Sequence, residues 1–308
     1  MRDTFIKRLT ELARSDPRIM LVTGDLGFGV LTPYAKELPA QYLNAGVAEQ
    51  NMTGMATGMA MEGRVVFTYS IANFPILRCL EQLRNDAAYH GANVNAVSIG
   101  GGFSYGALGM SHHATEDLAI MRAIPDIDVL APCCPWEVEG ITTALAARPG
   151  TAYLRLDKSS PGRTDKPGEQ FVLGKARTLR EGTDLTIAAI GGIMEEALAA
   201  ADLLAKDAIE CRVLAFHSLT PFDREAVTAC CAETGGLLTV EEHQVTGGLG
   251  GAAAEASLEA GITPRVFGRI GLQDTFSSIV GSQQFLRRHY GLDSVAIEKK
   301  ARSLLATG

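Results

Sequence analysis

Nowhere in the 308 residues do apolar side chains run uninterrupted for the ~18 positions that a membrane-spanning helix needs, so none is expected. Positive charge is also scarce. Lys and Arg number 28 against 35 Asp and Glu, a formal net charge of −7, and a nucleic-acid or anionic-membrane partner calls for the opposite balance. The six cysteines (Cys79, Cys133, Cys134, Cys211, Cys230, Cys231) include two adjacent pairs but no CxxC. That spacing supplies neither a zinc nor a redox motif, and adjacent cysteines rarely bridge, so buried thiols in a reducing compartment are expected. There is no low-complexity tract and no short-period repeat. "GDLGFG" (24–29) does not match GxGxxG, and the N-terminal "MRDTFIKRLTELARSDP" reads as an amphipathic helix without the apolar core of a signal peptide. A cytoplasmic protein is the expectation.

What is present is an apolar content of 46% with 20% charged residues, the composition of a globular chain, in a length that suits two domains. Short β-branched runs alternate with helical patterns. Strands are predicted at 18–24, 64–69, 93–100, 127–132 and 151–156, and helices at 48–62, 74–88, 115–123 and 135–147. After a polar stretch, "DKSSPGRTDKPGEQ" (157–170), the alternation resumes. "DLTIAAIGG", "ECRVLAF" and "GGLLTVEE" read as strands, with helices at 193–206, 222–232, 249–260 and 278–289. Near-continuous apolar strands separated by helices indicate parallel sheets covered on both faces. The expected fold class is therefore α/β, with two doubly wound domains: 1–160, a linker at 161–170, and 171–308. "GGLGG" (247–251) opens a helix after a strand. Its backbone N–H groups suit an anion, and a tight turn for close helix–strand packing explains it equally simply.

Between Glu37 and Glu62 the chain carries one charged side chain, Glu49, in "NAGVAEQNMTG" (44–54). Burying a lone carboxylate costs several kcal/mol unless it is paired or protonated. Two readings are open from the residues alone. Glu49 caps the N-terminus of the following helix, where negative charge is favoured, or it is a carboxyl group in an apolar pocket poised for proton transfer.

Family resemblance adds to this. "GDLG", "NAGVAEQNMTGMATGMAMEG", "RCLEQLRND" and "SHHATEDLAIMRAIPDIDVLAP", in that order and spacing, resemble the pyrimidine-binding domain of transketolase and its thiamine-diphosphate relatives, including deoxyxylulose-phosphate synthase. "TVEEHQVTGGLGGAAAE" resembles the C-terminal domain of the same enzymes, so the likeness covers nearly the whole chain. The resemblance implies that Glu49 hydrogen-bonds N1′ of the cofactor's aminopyrimidine. It implies that Phe74 is the stacking aromatic, with Ile71 close by and Tyr69 as the competitor, and that Asp25 lies near the cofactor where two chains meet. His112, in "GALGMSHHATED", aligns with a histidine that touches the substrate and moves protons, and His113 is expected to share its pocket. Arg155 in "YLRLDKSS" and, more weakly, Arg2 align with arginines that contact a sugar phosphate. Where the family usually shows an aspartate that bonds a donor hydroxyl, this chain has Leu108, which implies a modified, deoxy or sulfonated ketose, or a different donor.

The family's diphosphate site uses a divalent metal held by a GDG motif, and this sequence contains no GDG. Residue 1 also falls where the pyrimidine domain begins. The resemblance therefore implies the second half of a split transketolase. The expected assembly is α₂β₂, with thiamine diphosphate shared between chains, and Mg²⁺ or Ca²⁺ held by a separate N-terminal, diphosphate-binding subunit. The substrates would be a ketose donor and an aldose acceptor. Two alternatives share the domain order: the β subunit of a 2-oxoacid dehydrogenase or decarboxylase, and a non-catalytic scaffolding subunit.

Overall fold

The computed structural model describes residues 1–307. The first half supplies β1 (Ile19–Thr23), β2 (Tyr42–Asn44), β3 (Val65–Ile71), β4 (Val94–Ile99), β5 (Ile127–Leu130) and β6 (Thr151–Leu156). The second supplies β7 (Arg177–Arg180), β8 (Leu185–Ile190), β9 (Cys211–Phe216), β10 (Ser218–Thr220), β11 (Leu237–Gln244) and β12 (Phe267–Leu272). The larger sheet runs β10-β5-β6-β4-β3-β1-β2 and the smaller β12-β11-β8-β9-β7. All pairings are parallel except β10 on β5 and β7 on β9. The residues explain the pattern. β1, β4, β6 and β8 are buried at every position, which is why they read as continuous apolar runs instead of alternating ones. This is the expected α/β class with two mostly parallel sheets.

Helices cover both faces. In α1 (Arg2–Ser15) the buried Phe5, Ile6, Leu9 and Ala13 share one stripe. The next helices are α2 (Thr32–Glu37) and α3 (Glu49–Met61), the latter burying Met52, Thr53, Ala56 and Thr57. The helix predicted over 74–88 is broken into a 3₁₀ turn (Leu77–Cys79), a short α4 (Leu80–Gln82) and a π-helical turn (Leu83–Ala88). Further along come α5 (Asp117–Arg122), α6 (Pro135–Ala147), α7 (Met194–Ala205), α8 (Arg224–Glu233), α9 (Leu249–Glu259), α10 (Gln283–His289) and α11 (Ser294–Thr307). No helix among the described residues is long and apolar enough to cross a membrane, and all six cysteines are buried and unbridged.

The two halves share a core. Leu118 and Met121 of α5 pack in one cluster with Leu249, Ala252 and Ala253 of α9. β10 goes further and joins the first sheet, pairing Ser218 with Leu130 and Thr220 with Val129. Residues 157–176 carry no helix or strand. They are anchored by the buried Arg177, which bonds Glu137 at 2.7 Å and Glu169 at 2.6 Å while its guanidinium lies 4.4 Å from the Trp136 ring centroid. The "GGLGG" turn does hold an anion, and it is the chain's own. The Leu249 and Gly250 N–H groups donate to the Glu241 carboxylate at 2.8 and 2.9 Å.

Candidate active site

Parallel strands direct their carboxyl ends to one edge, where open α/β sheets bind ligands. Asp25 follows β1, Glu49 follows β2, Phe74 follows β3, His112 follows β4 and Lys158 follows β6. The topology thus gathers on one crest residues far apart in sequence.

Glu49 is the first residue of α3 and only 6% exposed. Its side chain makes no cap hydrogen bond, although it sits in the first turn, where the helix dipole favours negative charge. It is not alone, which corrects the reading of an unpaired acid in apolar surroundings. Arg78 Nη1 donates to Glu49 Oε1 at 2.9 Å from a side chain 48% exposed. The same guanidinium lies 3.7 Å from the centroid of the half-buried Phe74 ring, and Phe74 meets His112 edge-on at 5.1 Å. Glu49, Arg78, Phe74 and His112 therefore form one continuous contact chain. His112 is half-buried, with Nδ1 3.1 Å from Ser111 Oγ. Ile71 is half-buried at the end of β3.

The other predicted residues separate. Asp25 adopts φ 60° and exchanges hydrogen bonds with Asn44: its N–H donates to Asn44 Oδ1 at 3.0 Å and its Oδ1 accepts from Asn44 Nδ2 at 2.9 Å. It builds the turn beside Glu49. Tyr69 is buried in the core with Phe5, Phe67 and Leu31, so its ring has no open face, and burial pushes its hydroxyl pKa up. His113 does not share the pocket of His112. It turns inward against Phe103, ring centroids 5.1 Å apart, with Nε2 3.3 Å from the Gly106 carbonyl. That carbonyl only accepts, so Nε2 carries the proton, and burial lowers the pKa of the ring. Leu108 ends a 3₁₀ turn (Gly106–Leu108) with its side chain exposed at the rim.

Arg155 is the clearest correction. It lies inside β6, 2% exposed, and bonds Asp117 at 3.1 Å, Asp157 at 3.0 Å and the Glu242 carbonyl at 3.0 Å. Burial alone would lower its pKa, but the two carboxylates outweigh it and the net displacement is upward. A guanidinium so enclosed has no face left for a sugar phosphate. A lysine does reach the crest, Lys158, one residue beyond Asp157. Its ammonium stands 3.5 Å from the Tyr105 ring centroid, and partial burial with the nearby Arg2 charge lowers its pKa. Arg2 is half-exposed and bonds Asp3 at 2.9 Å. Sequence reasoning missed Arg78 and Lys158. Each had a signal: Arg78 is one helical turn beyond Phe74, and Lys158 lies past the strand end whereas Arg155 lies within a strand buried on both faces.

The residues present fit one half of thiamine diphosphate. A buried carboxylate beside an aromatic face covered only by a half-exposed arginine suits a flat, hydrogen-bonding aminopyrimidine. Among the described residues no trio of His, Cys, Asp or Glu is placed to hold a metal.

Residues 1–162 match the family model for the transketolase pyrimidine-binding domain, and residues 174–297 that for the transketolase C-terminal domain. The chain is 39% identical to one of the subunits of the apulose-4-phosphate transketolase of Phocaeicola vulgatus, covering 97% of this chain and 96% of that one. It is 36% identical to SqwH, a subunit of the 6-deoxy-6-sulfo-D-fructose transketolase of a Clostridium species, over 99% and 94%. A solved split-gene transketolase, described as an inactive β4 tetramer, superposes with TM-score 0.88 at 33% identity, covering 99% of this chain and 97% of that one.

Proposed function

This chain belongs to the transketolase family and is a subunit of a split, transketolase-type transferase; we propose that it supplies the pyrimidine-binding side of an active site completed by a separate diphosphate-binding chain. The observation that carries this is the Glu49–Arg78–Phe74–His112 contact chain. When bound, thiamine diphosphate supplies the carbanion-stabilising carbon for ketol transfer. The Glu49 carboxyl group would donate a hydrogen bond to ring nitrogen N1′ and share that proton with it. Phe74, beside Ile71, presents the ring face, and Asp25 shapes the turn next to Glu49. His112 donates or accepts a proton at the substrate's carbonyl or hydroxyl oxygen.

The partner would hold Mg²⁺ or Ca²⁺ and cover the crest, in an α₂β₂ assembly with sites where chains meet. The exposed apolar side chains Phe28, Val47, Leu77, Leu108 and Met110 support this, because they follow four successive strands, β1 to β4, as the site residues do. The substrate class is a ketose with an anionic end, held by Lys158 and Arg2. The relatives named for apulose 4-phosphate and 6-deoxy-6-sulfo-D-fructose, together with Leu108 in place of the family's aspartate, support a donor other than an ordinary ketose phosphate.

Lys158→Ala is expected to raise KM for an anionic ketose by about 10–100-fold with kcat nearly unchanged, since hydrogen bonds to charged groups are worth ~1.5–3 kcal/mol; steady-state kinetics on ketoses with and without the anionic group check this. The reading as a whole is tested with the chain reconstituted with its diphosphate-binding partner. Ketol transfer from a ketose to an aldose is expected, and decarboxylation of 2-oxoacids without ketol transfer would overturn it.

A further inference from the structure

The loop that carries His112 is held from the other half of the molecule. Residues 101–115 join β4 to α5, and their ends close in an antiparallel bridge, Gly102 and Ala114 exchanging N–H···O bonds at 2.8 and 3.0 Å. Inside the loop most N–H groups are satisfied locally in 3₁₀ turns, such as Gly106 to the Phe103 carbonyl at 2.8 Å and His112 to Gly109 at 2.9 Å. The N–H of the fully buried Phe103 instead donates to the Glu242 carboxylate of β11.

Glu242 is itself buried, and its remaining capacity goes to α10: Gln283 Nε2 at 2.9 and 3.2 Å, and Arg287 Nε. Arg287 in turn bonds Ser159 Oγ at 2.7 Å and Glu195 at 2.5 Å. The middle of the loop is pinned as well, with Gly281 N–H on the Gly106 carbonyl at 3.3 Å and the Phe103 ring stacked on Tyr290 at 5.5 Å. The fit demands glycine at two positions. A Cβ on Gly102 would lie 2.4 Å from Glu242 Oε1, and one on Gly106 would lie 2.5 Å from Leu286 Cδ1 and 2.7 Å from the Gly281 carbonyl oxygen.

We infer that Glu242 is a positioning residue for His112: the C-terminal half contributes to catalysis by fixing the His112 loop through the Glu242–Phe103 hydrogen bond, with Gln283 holding the carboxylate in place. A charge-assisted bond to a backbone N–H is about twice as strong as a neutral one and directional, and displacing a reacting group by ~1 Å can cost about 10²-fold in rate. The inference rests on the reading that His112 acts on the substrate.

The test pairs hydrogen–deuterium exchange with kinetics of the reconstituted two-subunit enzyme. In Glu242→Ala, amides 103–113 are expected to exchange at least about tenfold faster while β1 and β3 are unchanged, and kcat falls about 10²-fold with KM for thiamine diphosphate unaltered. Glu242→Gln, whose side-chain oxygen still accepts from Phe103, restores most of both. Should Glu242→Ala not fold, Gln283→Ala is expected to show the same signature in weaker form. Unchanged exchange in the loop, a uniform rise across the chain, or equal rates for the Ala and Gln variants would each overturn the assignment. A fully active His112→Ala enzyme would instead overturn the role of His112, leaving the exchange result intact.

Discussion

Glu49→Gln, assayed in the reconstituted enzyme, is expected to lower kcat by about 10²–10⁴-fold, the range for losing a positioned proton-transfer group, and barely to alter folding. The amide keeps the volume of the carboxylate, and its oxygen still accepts from Arg78 Nη1. What it cannot do is share a proton with a ring nitrogen. The stability cost is small because Arg78 is 48% exposed and water solvates its freed charge; exposed and half-exposed pairs contribute about 0–1 kcal/mol. Rate at saturating cofactor, measured beside a thermal melt, separates the two effects. A variant with near-normal turnover would reduce Glu49 to one end of an ion pair with Arg78.

Arg155→Met is expected to act the opposite way, on stability first. The thioether approximates the volume of the arginine stem but leaves Asp117 and Asp157 buried without their cation. Breaking one partner out of a buried ion network costs about 3–5 kcal/mol, and here two carboxylates are stranded, one of them also accepting from Tyr153 Oη at 2.7 Å. Denaturant unfolding checks this directly. A raised KM for anionic ketoses with unchanged stability would return Arg155 to the phosphate-binding role that the sequence resemblance implied.

The contrast between these two residues shows how far the chain can be read without its structure. The long apolar strands β1, β3, β4, β6, β8 and β9 are legible because burial on both faces leaves runs of Val, Ile, Leu and Ala that no surface segment carries. β2 and β10 are not, being three residues each and fixed by pairing with distant partners. β7, "RTLR", hides behind its arginines as an edge strand.

The site follows the same logic. Glu49 stands out because no other charge lies near it in sequence, yet its partner Arg78 comes from the segment after the next strand, a proximity that only the β2-β1-β3 order creates. Arg155 and Lys158 lie three positions apart, and whether each faces a buried network or open crest depends on where β6 ends. His112 and His113 diverge because the 3₁₀ turn Met110–His112 closes between them. The hold of Glu242 on the loop is invisible in sequence, since it spans 139 positions and two sheets.

On the proposed function, the acid, the aromatic ring and the histidine on this chain make only part of an active site. The most direct test is turnover by the purified chain alone, given thiamine diphosphate, Mg²⁺, a ketose donor and an aldose acceptor, measured before and after the diphosphate-binding chain is added. No ketol transfer before the addition and robust transfer after it is the predicted result; robust transfer by the chain alone would contradict the account.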